Sequence, residues 1–186
     1  MSRKIVAAVA FALCAGTAMA AEVGGVKLDD KVTLGGQELV LNGAGIRTKA
    51  FFKVYVGSLY VPAKASSAAG VYAKAPRRVQ LNMLRDVSAD QMLDALVDGI
   101  KDANSPAEVA AVKAQSDELA SILKAAGQLK EGNVLVFDYV DGATKVSLNG
   151  AAKGSISGEA FSKALTNAWI GDKPVQADLK KAMLGG

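Results

Sequence analysis

Hydrophobic and polar residues alternate along much of the chain, and the stretch LVLNGAGIRTKAFFKVYVGSLYV, from Leu39 to Val61, dominates the pattern. The alternation is interrupted at Gly43 and Gly45 and resumes as an aromatic and β-branched run that ends before Pro62. Glycines between two alternating segments are typical of a turn, so we predict two strands joined at these glycines. If the second strand is continuous, period-two geometry places on one face Arg47, Lys49, Phe51, Lys53 and Tyr55.

Further strands are indicated on both sides of this stretch. Val32 and Leu34 precede a Gly35-Gly36 pair, which predicts a hairpin leading into Leu39. Alternation resumes from Arg77 to Arg85. Beyond residue 132, the pairs Asp141-Gly142 and Asn149-Gly150 are strong hairpin-turn signals, and they separate three predicted strands: Asn133–Val140, Thr144–Leu148 and Ala151–Ile156.

Helical patterns fill the two gaps between the groups of strands. Ser88 and Gln91 form a capping box before the apolar stripe Met92, Leu93, Leu96, Val97 and Ile100. Ser105 and Glu108 form a second capping box and predict a longer helix that ends at Gly127. Two more helices are predicted over Gly158–Trp169 and Gln176–Leu184. Strands grouped together, with no strand-helix-strand alternation, favour an α+β fold with an antiparallel sheet and helices on one side.

The N-terminus has the three parts of a secretory signal peptide. Arg3 and Lys4 are basic, Ile5–Cys14 is apolar but shorter than the roughly 20 residues that span a bilayer, and Ala18-Met19-Ala20 matches a cleavage site. We therefore predict a signal peptide over residues 1–20 and one domain over residues 21–186. Cleavage removes the only cysteine, and an exported chain without disulfides fits a bacterial periplasm.

Composition excludes several classes of function. The net charge of +4 includes Arg3 and Lys4, and without a basic run the chain is not expected to bind nucleic acid. The chain has no histidine and, after the predicted cleavage, no cysteine, so Ser-His-Asp and Cys-His catalysis and the usual zinc, haem and copper ligand sets are excluded. No phosphate-binding glycine motif is present. We predict no metal, no cofactor and, since no later segment is long and apolar enough, no integral membrane segment.

Arg47 beside aromatic residues is the chemistry that remains. A guanidinium can hold a carboxylate, or a developing enolate or phenolate oxygen, by paired hydrogen bonds. Phe51 and Tyr55 on the same face could line the apolar part of a ligand site, and such a face suits a small amphipathic anion. The alternative is a solvent face that carries Arg47, Lys49 and Lys53. Trp169, at the end of an apolar helical stripe, fits a core position better than a ligand contact.

Three segments, taken in order, resemble the chalcone-isomerase fold family. LNGAGIRTKAFFKVYVGSLYV is similar to its glycine-x-glycine-x-arginine signature and aromatic strand, RRVQLNMLRDVSADQM to its next strand and first long helix, and NAWIGDKPV to its late helix. The similarity extends over nearly all of the chain after residue 20 and is greatest to the bacterial secreted members. It implies an open-faced sandwich, in which a large antiparallel sheet is covered on one face by helices, with a ligand cleft between them.

The resemblance also implies roles for individual residues. In plant chalcone isomerases, the cleft closes a flavanone ring and an arginine steadies the negative charge; Arg47 matches that arginine. The family's catalytic threonine falls on Tyr55, its helix tyrosine on Met92, its asparagine near Gly99 and its late-helix polar residue on Ala168. Met92 and Ala168 would instead suit the apolar cleft of the fatty-acid-binding members.

Two main functions follow from these residues. The first is non-catalytic binding of an amphipathic anion such as a fatty acid by Arg47, Phe51, Tyr55, Met92 and Ala168. The second is an isomerase or intramolecular lyase that acts on an enone or chalcone-like substrate, with Arg47 stabilising an oxyanion and Tyr55 as its hydrogen-bond partner or acid. A structural or interaction protein with a vestigial cleft is a third, weaker hypothesis.

Overall fold

The structure is a computed structural model and describes residues 21–73 and 75–186. These residues contain nine strands and six helices. The predicted signal peptide lies outside the described residues. The strands are β1 (Ala21–Val23), β2 (Val26–Leu28), β3 (Lys31–Leu34), β4 (Gln37–Lys49), β5 (Phe52–Val61), β6 (Arg77–Met83), β7 (Val134–Val140), β8 (Ala143–Leu148) and β9 (Ala151–Ser157). The helices are α1 (Ala68–Tyr72), α2 (Ala89–Ala103), α3 (Pro106–Ala111), α4 (Lys113–Ala126), α5 (Glu159–Ile170) and α6 (Ala177–Met183).

Strands β3 to β9 form one curled antiparallel sheet in which neighbours in space are neighbours in sequence. The predicted turns at Gly35-Gly36, Asp141-Gly142 and Asn149-Gly150 are present, with positive φ at both positions of each pair. Glycine tolerates this conformation without steric cost, and asparagine and aspartate tolerate it better than most residues, which is why these pairs predicted their hairpins correctly. The α+β prediction is confirmed.

The predicted turn at Gly43 and Gly45 is wrong. Both glycines lie inside β4, which continues to Lys49, and the chain reverses at Ala50 and Phe51. The glycines are needed for a different reason, because helix α6 crosses the strand at this point. A Cβ on Gly45 would lie 2.8 Å from the Cβ of Ala182, and one on Gly43 would overlap the carbonyl oxygen of that same residue. Glycine thus permits close approach of α6 rather than a change of direction.

The helices cover one face of the sheet and form the main core with it. Helix α2 buries Met92, Leu96 and Ile100, and α5 buries the stripe that includes Phe161, Leu165 and Trp169. Both predicted capping boxes are formed. The single long helix expected after Ser105 is divided, because the backbone at Val112 leaves the helical region and separates α3 from α4.

The hairpin of β1 and β2 was not anticipated from the sequence, and it covers part of the opposite sheet face. Its apolar residues join a second core cluster that includes Leu39, Leu41, Val56 and Tyr60. Over strands β4 and β5 the sheet is therefore buried on both sides, which fixes the strands that carry the site described next.

Candidate functional site

A cleft of about 550 Å³ lies between the β4–β5 hairpin, helix α2, the end of α5 and the loop before α6. Its walls combine the two components that an amphipathic ligand requires. Apolar side chains line its inner part, and charged side chains stand nearer its rim. The apolar lining includes Val54, Val87, Met92, Leu96, Ala168, Trp169 and Val175, and the charged lining consists of Arg47, Lys49, Arg85, Asp86, Asp98 and Asp102.

Arg47 is half-buried in the wall of this cleft. One nitrogen, Nη1, donates to the carbonyl oxygen of Thr48 at 2.6 Å and to Oε1 of Gln176 at 3.2 Å. Gln176 is itself fixed, because it accepts from the Thr48 backbone N–H at 2.9 Å and donates to the Ile46 carbonyl at 3.1 Å. The residue that precedes α6 thereby holds the guanidinium in place.

The guanidinium has no carboxylate partner among the described residues. None of the ion pairs found in residues 21–73 and 75–186 includes Arg47. Its hydrogen bonds to this part of the chain all use Nη1. Arginine has five N–H donors in a planar fork, and the guanidinium also approaches the Tyr55 oxygen, so Nε and Nη2 offer donors to an anion that binds beside that phenol.

Tyr55 pairs with Arg47 across the two strands, and a β-bulge follows this pair. Arg47 is opposite Tyr55, whereas Thr48 is opposite Lys53, so Val54 is the extra residue. Directly opposed residues place their side chains on the same face of a sheet. The bulge then allows Val54 to line the cleft together with Tyr55 instead of alternating away from it.

The hydroxyl of Tyr55 is buried and oriented. Only 7% of the residue is exposed, and Nε1 of Trp169 donates to its oxygen at 2.9 Å. Burial raises the pKa of Tyr55, and the hydrogen bond from Trp169, the positive charge of Arg47 and the approach of its guanidinium to the phenol oxygen oppose that shift only in part. The group therefore remains a neutral phenol at neutral pH. Because Trp169 occupies an acceptor position, the O–H of Tyr55 is free to donate to a ligand.

The apolar wall depends on a close contact between α2 and α5. Gly99 lies against Ala168, and a Cβ at residue 99 would be 2.9 Å from the Cβ of Ala168 and 3.0 Å from Cγ1 of Val175. Met92 and Ala168 are both buried and both line the cleft. Trp169, which belongs to the same lining, also packs against Phe137, with ring centroids 6.0 Å apart.

Four of the five residues predicted to bind ligand come together in the structure: Arg47, Tyr55, Met92 and Ala168 all line the cleft. Phe51 does not lie with them. It is the second residue of the two-residue turn and is fully exposed, because β4 and β5 are separate strands and not one continuous strand. Its neighbour Phe52 lines the cleft in its place and is 60% exposed.

Among the residues that were not assigned to the site from the sequence, three act through polar or charged groups. Trp169 belongs to the core as expected, but its indole N–H also positions Tyr55. Gln176 holds Arg47 across 129 positions of sequence, and Arg85 joins the rim from the end of β6. Contacts of this kind depend on the tertiary fold, and local spacing carries no signal for them.

The described residues contain no group of three or more histidine, cysteine, aspartate or glutamate side chains arranged to hold a metal ion. Within the same part of the chain, no helix combines the length and apolarity needed to cross a membrane.

Comparisons with known proteins bear on the family and the fold of the chain. The family model described as chalcone isomerase-like matches residues 20–185. Among solved structures, the fold is similar to that of a fatty-acid binding protein from Arabidopsis thaliana, with a TM-score of 0.67 and 12% sequence identity over 86% of this chain and 92% of that one. No curated protein matches the sequence. The resemblance seen in the sequence is confirmed, and the chain belongs to the chalcone isomerase-like family.

Proposed function

We propose that this protein binds a small amphipathic anion in the cleft, and that the ligand is a fatty acid. The observation that carries the proposal is the guanidinium of Arg47, which has no carboxylate partner among the described residues and stands beside the Tyr55 hydroxyl at the edge of an apolar cleft. A ligand carboxylate would accept from the free donors of Arg47 and from the O–H of Tyr55. Hydrogen bonds to charged groups contribute about 1.5–3 kcal/mol each.

The size and the lining of the cleft support an acyl chain as the other half of the ligand. Its volume of about 550 Å³ falls in the range of roughly 300–1,000 Å³ that is usual for small-molecule sites. Burial of each methylene group contributes about 0.8 kcal/mol to the free energy of binding. Walls formed by Met92, Leu96 and Ala168 therefore favour a ligand with a chain several carbons long. The Arabidopsis protein of the same fold, named as a fatty-acid binding protein, lends support by analogy.

Binding is favoured over the isomerase alternative by the state of Tyr55. A general acid works best when its pKa is near the working pH, whereas burial raises the pKa of this phenol above its ordinary value. Met92 and Ala168 supply no hydrogen bond that would orient a polar, multi-ring substrate in the cleft. Arg47 and Tyr55 remain the residues to examine if turnover of a chalcone or another enone is observed.

The test compares three ligands of the same chain length: a saturated fatty acid, its methyl ester and the corresponding alkylammonium ion. Isothermal titration calorimetry on the purified protein should show that the acid binds at least about tenfold more tightly than the ester, since the ester cannot form a charged pair with Arg47. The alkylammonium ion should bind most weakly. Equal affinity for acid and ester, or no binding of any of the three, would refute the proposal.

We further propose that the protein is exported to the periplasm after cleavage near Ala20. This rests on the sequence pattern of residues 1–20 alone. Cell fractionation followed by intact-mass measurement should find a periplasmic protein that begins at or close to Ala21. Recovery of a cytoplasmic chain that retains its first 20 residues would overturn this.

A further inference from the structure

The tip of the β4–β5 hairpin exposes two adjacent aromatic residues. Phe51 is fully exposed and Phe52 is 60% exposed, and they are the large hydrophobic residues exposed in residues 21–73 and 75–186. Lys49 pairs with Phe52 across the turn, so both rings stand at the end of a rigid ladder and not in a loose loop. An exposed pair of phenylalanines on an ordered hairpin marks a surface suited to an apolar partner.

The turn itself is unusual for this chain. Each of the other two-residue hairpin turns of the described chain places glycine, or asparagine or aspartate followed by glycine, at its two positive-φ positions, namely Gly24-Gly25, Gly35-Gly36, Asp141-Gly142 and Asn149-Gly150. At Ala50 and Phe51 two ordinary residues adopt φ of 47° and 72°. Local turn preference does not explain a phenylalanine there. A fully exposed ring held in this sterically costly conformation is a second observation that points to a binding role.

Positive charges surround the aromatic pair. Lys49 and Lys53 are exposed on the two strands beside the turn, and the Arg85 guanidinium carbon lies 4.5 Å from the centroid of the Phe52 ring. We call Phe51, Phe52, Lys49, Lys53 and Arg85 the tip patch. The Asp86 carboxylate follows Arg85 in the chain, and its oxygens accept from the backbone N–H of Glu131 at 2.8 Å and from the side chain of Gln128 at 3.4 Å.

The remaining carboxylates of the cleft lie away from the tip patch. Asp98 and Asp102 are on the C-terminal half of α2, and Gln91, at the start of that helix, shares the cleft lining with Arg85. With a rise of 1.5 Å per residue, Asp102 is about 16 Å from Gln91 along the helix axis. The tip patch therefore adjoins the part of the cleft lined by Lys49, Phe52 and Arg85, and the carboxylates of Asp98 and Asp102 lie farther along α2.

Aromatic rings together with lysine and arginine side chains are the combination that binds the interface of a bilayer containing anionic lipids. We propose that the tip patch docks this protein on such a membrane surface, with Phe51 inserted among the headgroups. The inference builds on the proposed function: Lys49, Ala50 and Phe52 also line the cleft, so docking places its mouth at the bilayer, where an amphipathic anion can pass directly between lipid and protein.

The experiment measures co-sedimentation of the purified protein with phosphatidylcholine vesicles, with and without phosphatidylglycerol as the anionic lipid. The test variant is Phe51→Ser/Lys53→Glu, because neither residue lines the cleft. The matched control is Lys153→Glu, which makes the same charge change on β9, the sheet edge farthest from β4 and β5 in strand order. A fourth protein, Phe51→Trp, places a fluorophore at the tip.

The wild type and Lys153→Glu should bind the anionic vesicles, and more weakly as salt is raised. Phe51→Ser/Lys53→Glu should lose about tenfold or more in vesicle affinity, since Phe51 then contributes no apolar burial and Lys53 no attraction. The emission of Phe51→Trp should shift to shorter wavelength on those vesicles. Three results would overturn the proposal: no binding of the wild type to vesicles, equal binding of the wild type to neutral and anionic vesicles, or equal affinity of the wild type and Phe51→Ser/Lys53→Glu for anionic vesicles.

Fatty-acid titration without vesicles separates this inference from the proposed function. The tip variant should bind the free acid as the wild type does. If it does so while no protein binds vesicles, only membrane docking is refuted; capture of another protein that depends on Phe51 would then identify the partner class as protein. Vesicle binding without fatty-acid binding refutes the proposed ligand and leaves the docking surface standing.

Discussion

Replacement of Arg47 by methionine tests the electrostatic half of the binding proposal. The variant keeps an unbranched apolar stem in the wall of the cleft and removes every donor. It abolishes hydrogen bonds to Thr48 and Gln176, but both use one nitrogen of a half-buried residue, so the cost to folding should be small. The Gln176 amide retains its bonds to the Thr48 N–H and the Ile46 carbonyl, which preserve the local backbone.

The loss in affinity can be worked out from the contacts that remain available. A fatty-acid carboxylate would accept charged hydrogen bonds from Arg47, and removal of such an interaction costs about 1.5–3 kcal/mol, which corresponds to roughly 10–150-fold in dissociation constant. The methyl ester of the same acid should lose little. The difference between the two ligands, measured in both proteins by calorimetry, gives the coupling energy between the guanidinium and the carboxylate.

Arg85→Met is the matched control, because Arg85 lines the same cleft but is exposed and stacked on Phe52. Exposed ion pairs contribute about 1 kcal/mol or less, so this variant should weaken acid binding less than Arg47→Met does. Two results would refute the reasoning: Arg47→Met weakening acid and ester equally, or Arg85→Met matching its effect. Either would mean that Arg47 serves the shape of the cleft and not the charge of the ligand.

Three further predictions concern the phenol, the helix contact and pH. Tyr55→Phe should weaken fatty-acid binding and lower the free energy of unfolding in urea by about 1–3 kcal/mol, because it leaves the buried N–H of Trp169 without its acceptor; an unchanged unfolding curve would contradict this. Gly99→Ala should lower the free energy of unfolding by about 1–3 kcal/mol in the same assay, because the new methyl group overlaps Ala168. The double variant Gly99→Ala/Ala168→Gly should recover much of this loss, and no recovery would show that the contact is not the cause. Burial, helped by the charge of Asp29, raises the pKa of Tyr60 to about 12. The contribution of the neutral phenol to the free energy of unfolding is therefore complete below pH 10 and is lost as the pH rises from about 10 to 12. The loss amounts to up to about 1.4 kcal/mol per pH unit. Urea unfolding at pH 9 and 11 should show this decline in the wild type and a smaller one in Tyr60→Phe, and equal declines would count against the assignment.

Backbone conformation explains why some hairpin turns were predicted from the sequence and one was missed. Glycine, aspartate or asparagine at positive φ gave a local signal at Gly35, Asp141 and Asn149, and these hairpins were predicted correctly. The turn at Ala50 and Phe51 carries no such residue and was missed. Gly43 and Gly45 attracted the prediction instead, although their role is to admit helix α6, a contact with residues about 140 positions later.

The site was predicted where its residues follow from strand pairing and family resemblance, and missed where it depends on long-range packing. Arg47 and Tyr55 were expected on one face of one strand; they share that face because they are opposed across two strands. Gln176 and the second role of Trp169 arise only when α5 and the start of α6 return to the hairpin. Side-chain chemistry can nominate residues, but the fold decides which of them meet.

The most direct measurement is a crystal structure of the protein with a saturated fatty acid bound. The carboxylate should lie within hydrogen-bond distance of the Arg47 guanidinium and the Tyr55 hydroxyl, with the chain between Met92 and Ala168. A carboxylate that faces solvent, or an acyl chain bound outside this cleft, would contradict the proposed binding site.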